Sequence, residues 1–484
     1  MDDLLKKIYG HTEFNKTGHE LIDLLTSYLR ESSLGNDSVI RWKEPEEQLK
    51  FWKEFNLNNN DPTKLFKSII ENSIHLHNPN YMGHQLCPPA PIAALIGLVG
   101  ELLNNGMAIY EMGPAATAIE KVIIDLIAKK VGYDSQSDGF ITSGGTIGNL
   151  TALLAARQVA FEKDIWEDGL DDNLGVIISG EAHYSVDRAL RIMGFGSKGI
   201  IKVPVDDNFA IRIDLLDSYY KKAAENGINI IAAVGSAPST STGIYDDLLE
   251  MSKFCNEKGI WFHVDAAHGG GVIFSDKYKY LMEGAQYADS VLMDGHKMLM
   301  TPALLTMVIF KSANNSYSTF NQKAQYLWEK SQDEEWFNLA RRTLECTKLM
   351  MSIKLYSILA LYGEDAFDLY VTHLYDISKN FSSIIKGNNV FELALEPQSN
   401  IICFRYSPNR QRSLDLDELN SFIREKLLRE GDFYIVKTLF RGSVYLRTTI
   451  INPMTSIANF NQLLERIIHM GNSFMDNLNG DDIN

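Results

Sequence analysis

Lysine is costly to bury as an ammonium ion, so a lysine about to enter a core either returns its head to water or uses its amine for chemistry. Lys297 raises that choice. It follows His296 in DGHKMLM, residues 294–300, between an Asp-Gly turn and an apolar run. One apolar run earlier, Asp265 closes IWFHVD and is followed by AAHGGG, small residues that would let a flat ligand lie against the backbone. A carboxylate buried there needs a partner, and a protonated ring nitrogen is one; a helix cap is the other reading. His183, in EAHYSVDRAL, follows the apolar run GVIIS and reads either as a cap or as a ring that packs on a ligand. In TSGGTIGNLTALLAAR, Gly144 and Gly145 admit close backbone approach, and Thr146 opens a helix whose free N–H groups favour phosphate. Each signal has a structural alternative when taken alone. Together they supply a phosphate cradle, a stacking ring, a partner for a pyridine nitrogen and an amine able to form a Schiff base, which is the set that pyridoxal 5'-phosphate needs.

These residues require a scaffold that brings distant loops together. Short apolar runs, GVIIS, INIIAAV, IWFHV, DSVLM and TMVIF, alternate with helical stretches such as LLEMSKFCNEKG, which predicts a largely parallel α/β sheet. Ligands of such sheets bind at the carboxyl ends of the strands, where all four motifs fall. Before this region, Leu21, Ile22, Leu24, Leu25 and Leu29 recur at helical spacing, as does LFKSIIENSI. After it, TKLMMSIKLYSILALYG leads into NIICFRYSP, SVYLRTTI and the helical ANFNQLLERIIHMG. The expected organisation is a helical N-terminal segment over 1–79, a large cofactor-binding domain over 80–350 and a small C-terminal α/β domain over 351–484.

Composition narrows the partners. With 484 residues and 45% hydrophobic content the chain can bury a large core. Its 46 Lys and Arg against 62 Asp and Glu give a net charge of −16, which argues against nonspecific nucleic-acid binding and anionic membrane surfaces. A small-molecule substrate is expected. Cys87, Cys255, Cys346 and Cys403 are widely spaced and form no CxxC pair, so neither a disulfide framework nor a metal site is indicated. The opening MDDLLKKIYGHTEF lacks the apolar core of a signal peptide, and residues 91–103 are too short and too glycine-containing to span a bilayer, so a cytoplasmic protein is expected.

HVDAAHGGG and DGHKMLM resemble the HVDAA and HK motifs of the group II amino-acid decarboxylases, the family of the glutamate, aromatic amino-acid, diaminobutyrate and cysteine-sulfinate decarboxylases. The resemblance extends from about residue 15 to 470. It implies a fold-type-I pyridoxal-phosphate enzyme, an intimate homodimer, and decarboxylation of an L-amino acid to the amine and carbon dioxide. By motif position, Lys297 resembles the Schiff-base lysine, Asp265 the ring-nitrogen partner and His183 the stacked histidine. Gly145, Thr146 and His296 resemble the phosphate binders, and Thr240, in PSTSTGIYD, lies where the family has a threonine near the cofactor. Gln85, in YMGHQLCPP, and Arg447, in YLRTTIINP, resemble residues that hold a substrate carboxylate. Tyr326, in AQYLWEK, resembles the loop tyrosine that protonates the substrate carbon. Three departures stand out: Asp294-Gly295 replaces Asn-Pro before HK, His268 follows HVDAA, and the segment from Tyr326 to Arg341 is short for the family. A shorter loop that kept Tyr326 away would favour the alternative outcome, an aldehyde-forming oxidative deamination or another lyase reaction.

Overall fold

The computed structural model describes residues 3–55, 61–162, 165–170, 172–320, 335–408 and 414–481. The larger of two compact units comprises residues 85–376 and 397–401. Its centre is a seven-stranded sheet: β1 (Asp138–Thr142), β2 (Leu174–Ser179), β3 (Ile200–Val203), β4 (Asn229–Ser236), β5 (Trp261–Asp265), β6 (Ser290–Asp294) and β7 (Thr306–Phe310). The spatial order is β1-β7-β6-β5-β4-β2-β3. Only β7 runs against its neighbours, β1 and β6, and the remaining pairs are parallel. Strands β2, β5, β6 and β7 are buried along their whole length, which explains why they read as unbroken apolar runs rather than alternating ones. The runs expected as strands form β2, β4, β5, β6 and β7. Two further strands, β1 and β3, gave no comparable signal, because each is short and carries charge or glycine within DGFIT and IIKV.

Helix Gly145–Val159 packs Gly148, Asn149, Ala152, Leu153 and Ala156 against this sheet. A Cβ on Gly148 would lie 2.3 Å from Leu292 Cδ1, so only glycine lets the helix lie this close to β6.

The smaller unit comprises residues 1–84, 377–396 and 402–484. It holds the helices His11–Ser33, Pro45–Glu54 and Pro62–Glu71 and a second sheet of β8 (Phe391–Leu393), β9 (Ile401–Tyr406), β10 (Val436–Phe440) and β11 (Ser443–Thr449), in the order β10-β11-β9-β8. Among the described residues no helix is long and apolar enough to cross a membrane.

Candidate active site

Register determines which loops meet. Thr306 on β7 is the cross-strand partner of Thr142 on β1 and of Asp294 on β6, so the loops after β1 and β6 leave the sheet at one level. Ser236 on β4 likewise faces Asp265 on β5, which faces Leu292 on β6. The consequence is a cavity of about 250 Å³ at the carboxyl ends of the strands, lined by Gly145, Thr146, His183, Thr240, Asp265, His296 and Lys297. It is the right scale for one small cofactor. His268 and Asp294 also line it, as do Ser143, Asn149 and Ser185, which the sequence did not single out.

One wall is the start of helix Gly145–Val159. Gly144, at φ 122°, takes the backbone through a region that side chains disfavour, and the helix behind it leaves its first N–H groups without intrahelical partners. Lys297 sits on the short turn Gly295–Met298, with its Nζ 2.9 Å from Asp294 Oδ2. Asp294 is 2% exposed and accepts from the Thr306 hydroxyl, while His296 Nε2 lies 3.6 Å from its Oδ2. Burial pushes the Asp294 carboxyl up, but the charges of Lys297 and His296 and the Thr306 hydrogen bond outweigh it and hold the group below the usual carboxylate range. The carboxylate that replaces Asn at this position is therefore ionised and paired. A Cβ on Gly145 would lie 3.6 Å from Asp294 Oδ1, which locates this negative charge beside the helix terminus.

Opposite lies Asp265, 7% exposed, whose Oδ2 accepts from Asn149 Nδ2 at 2.9 Å and whose Oδ1 accepts from the Ala267 N–H at 3.2 Å. His183 meets both readings: it caps helix Tyr184–Ile192 by accepting the Ser185 N–H, and its ring also lines the cavity. Burial lowers its pKa, with Asp265 opposing, so the ring is neutral at pH 7. His268 Nε2 lies 2.7 Å from Asn400 Oδ1.

Gln85 does not line the cavity, although Cys87 two residues on donates its N–H to the His296 carbonyl at 3.3 Å. Arg447 belongs to β11 of the smaller unit, and Tyr326 lies outside the described residues. No cluster of metal-binding side chains occurs among the described residues.

The donor set fits pyridoxal 5'-phosphate. A helix terminus and His296 suit the phosphate, a buried carboxylate suits a protonated ring nitrogen, and Lys297 offers an amine at the cavity wall.

Comparisons agree with this geometry. Residues 59–407 match the model of the pyridoxal-dependent decarboxylase conserved domain. The chain is 27% identical over 421 residues to an L-2,4-diaminobutyrate decarboxylase of Acinetobacter baumannii, covering 84% of this chain and 82% of that one. It is 29% identical to the L-aspartate decarboxylase dtxS4 of Metarhizium robertsii, over 71% and 69% of the two chains. The crystal structure of mouse CSAD superposes with a TM-score of 0.88 at 22% identity, covering 95% of this chain and 99% of that one, a likeness of fold. The chain thus belongs to the pyridoxal-dependent decarboxylases, carboxy-lyases that use pyridoxal 5'-phosphate to remove carbon dioxide from amino acids.

Proposed function

We propose that the substrate is an acidic L-amino acid, decarboxylated to its amine, with Lys297, Asp265 and His183 as the groups that hold and tune the cofactor. The observation that carries the cofactor roles is that all three line one cavity with the start of helix Gly145–Val159. Bound there, pyridoxal phosphate supplies an electron sink for the pair left by the departing carboxylate. Lys297 would supply the amine that holds the cofactor at the cavity wall. Asp265 would pair with a protonated ring nitrogen, and the neutral His183 ring would pack against the cofactor without adding charge. Gly145, Thr146 and His296 bind phosphate, with Thr240 beside the cofactor.

An acidic side chain is supported by Gln85, whose buried Nε2 has no hydrogen-bond acceptor among the described residues and so offers a donor to a carboxylate. The likeness to an L-aspartate decarboxylase supports the same class, with Arg447 as a second carboxylate partner. Tyr326 is assigned the return of a proton to the α-carbon on the family resemblance alone. A screen of aspartate, glutamate and cysteine sulfinate against aromatic and diamino acids, read as carbon dioxide and amine, tests the reading. Turnover confined to aromatic or basic substrates overturns the substrate class; oxygen uptake matching carbon dioxide release overturns amine formation. Loss of amine formation is expected in Tyr326→Phe.

A homodimer is supported by helix Pro91–Leu103, which leaves Leu95, Leu98, Val99, Leu102 and Leu103 exposed on an apolar surface that a second copy would cover. Light scattering at the monomer mass would reject it. A cytoplasmic location is supported by four free cysteines.

A further inference from the structure

Asn149 and His263 are wholly buried polar groups that the roles above leave unused. Their hydrogen bonds can be oriented from both ends. Trp261 Nε1–H, which can only donate, lies 3.0 Å from Ser290 Oγ, so the serine proton is free for His263 Nδ1 at 2.8 Å. His263 then carries its hydrogen on Nε2, which faces Asn149 Oδ1 at 2.8 Å. At the other end, the Asp265 carboxylate can only accept, so the Asn149 atom 2.9 Å away is Nδ2, which again turns Oδ1 toward His263. The Asp265 end demands this polarity, and the Trp261 end is compatible with it. Burial, partly opposed by Asp265, pushes His263 down to about 4, so at neutral pH the ring holds the single proton this chain needs. The second Nδ2 hydrogen points to Ser185 Oγ at 2.9 Å, and the Ser185 hydroxyl in turn lies 2.7 Å from His183 Nδ1. Asn149 is therefore a fork with one branch ending on Asp265 and the other on His183.

We propose that Asn149, oriented by the one-way chain Trp261–Ser290–His263, is a positioning residue that keeps Asp265 a proton-free acceptor and fixes His183 with Nδ1 accepting, and so sets how firmly the cofactor ring nitrogen is held protonated. This rests on the reading of Asp265 as the ring-nitrogen partner. Every donor in the chain points toward the carboxylate, which holds it in place as an acceptor. Asn149 is thus a buried support of the site, three residues beyond Thr146 on the same helix.

The test compares two probes on the full-length apoprotein: pyridoxal phosphate, and deazapyridoxal phosphate, in which carbon replaces the ring nitrogen. Affinities are read from quenching of tryptophan fluorescence. The wild type should prefer pyridoxal phosphate by roughly tenfold or more, the scale of a hydrogen bond to a charged group. Asp265→Ala should bring the two affinities together; if it leaves the preference intact, the reading of Asp265 itself fails. Asn149→Ala and His263→Leu should shrink the preference at least roughly threefold, whereas His263→Gln, which keeps an N–H for Asn149, should restore most of it. General loosening of the site would weaken both probes alike and leave the ratio unchanged. A collapse of the ratio in Asp265→Ala with a wild-type ratio in Asn149→Ala overturns the inference, and that pair suffices if His263→Leu does not fold.

Discussion

Lys348 and Lys297 both belong to the larger unit, and their surroundings differ in kind. Lys348 is 2% exposed and spends its ammonium on Glu120 Oε1 at 2.5 Å and the Ile141 carbonyl at 2.6 Å. Glu120 also accepts the Ile141 N–H, and nearby Arg342 pairs with Asp138 at 2.6 Å, so charge behind β1 is matched by charge and backbone. Lys297 is 18% exposed, has the single carboxylate Asp294 as ion-pair partner, and faces a cavity. One lysine ties helix Pro114–Val131 to a strand; the other holds its amine at the wall of the cavity. Burial alone therefore does not mark a functional lysine. The distinguishing feature is an amine held at the edge of an open space by too few partners.

That contrast is tested first where the effect is largest. Lys297→Ala should cut turnover by more than about 10³-fold, the scale seen when a covalent catalytic group is removed, while thermal unfolding of the apoprotein stays within a few degrees. Normal turnover would make Lys297 a second structural lysine. Asp265→Ala should slow decarboxylation roughly 10²- to 10³-fold with the cofactor still held through its phosphate. A variant within a fewfold of wild type would reduce Asp265 to a loop-ordering acceptor.

The scaffold side should respond in the opposite currency. Lys348→Met leaves Glu120 buried without its cation and should cost about 3–5 kcal/mol of stability, read as the denaturant midpoint. Burial already lowers the Lys348 pKa against the attraction of Glu120, so the ion pair is stabilising only as a pair. The double variant Glu120→Leu/Lys348→Met should regain most of the loss. Unchanged stability in the single variant would erase the distinction between the two lysines.

The smallest effect belongs to His263, which lies in the core yet supports the site. Its folded pKa of about 4 lies below the ordinary value of 6.5, so between these values the unfolded chain binds the proton that the native ring refuses. The contribution is fully present above pH 6.5 and is lost as pH falls toward 4, by up to about 3 kcal/mol. Asp246, whose carboxyl burial pushes up to about 6, drives the opposite slope in part of the same window. Denaturant midpoints at pH 7 and pH 5 should therefore be compared between wild type and His263→Gln, with the variant showing the smaller acid loss. Parallel slopes would mean that His263 titrates normally.

Some of this organisation was present in the chain's local pattern. Five apolar runs, the glycines before Thr146, and the residues just after the runs pointed to the sheet and to Gly145, Thr146, His183, Asp265 and Lys297 on the cavity wall, because strand burial and helix termini depend on neighbours a few positions away, whereas Thr240 and His296 were read from the family resemblance. Asn149 had a readable signal as well: it shares a helix face with Ala152, Leu153 and Ala156, and a polar residue on an apolar face needs buried partners. Which partners was a tertiary matter. His263 looks like one more residue of a buried strand until the β5–β6 register sets it across from Ser290, within reach of its hydroxyl. Strand β1 declares itself only through pairing with β7, and residues 1–84 join 377–396 and 402–484 in one unit across the intervening residues 85–376, which belong elsewhere. Sequence by itself determined which residue types stand at the ends of strands, since that follows from short-range periodicity and turn chemistry. Only the fold decided which of those ends lie level and how the buried hydrogen bonds run between them, because register and proton direction are set by contacts between segments far apart in the chain.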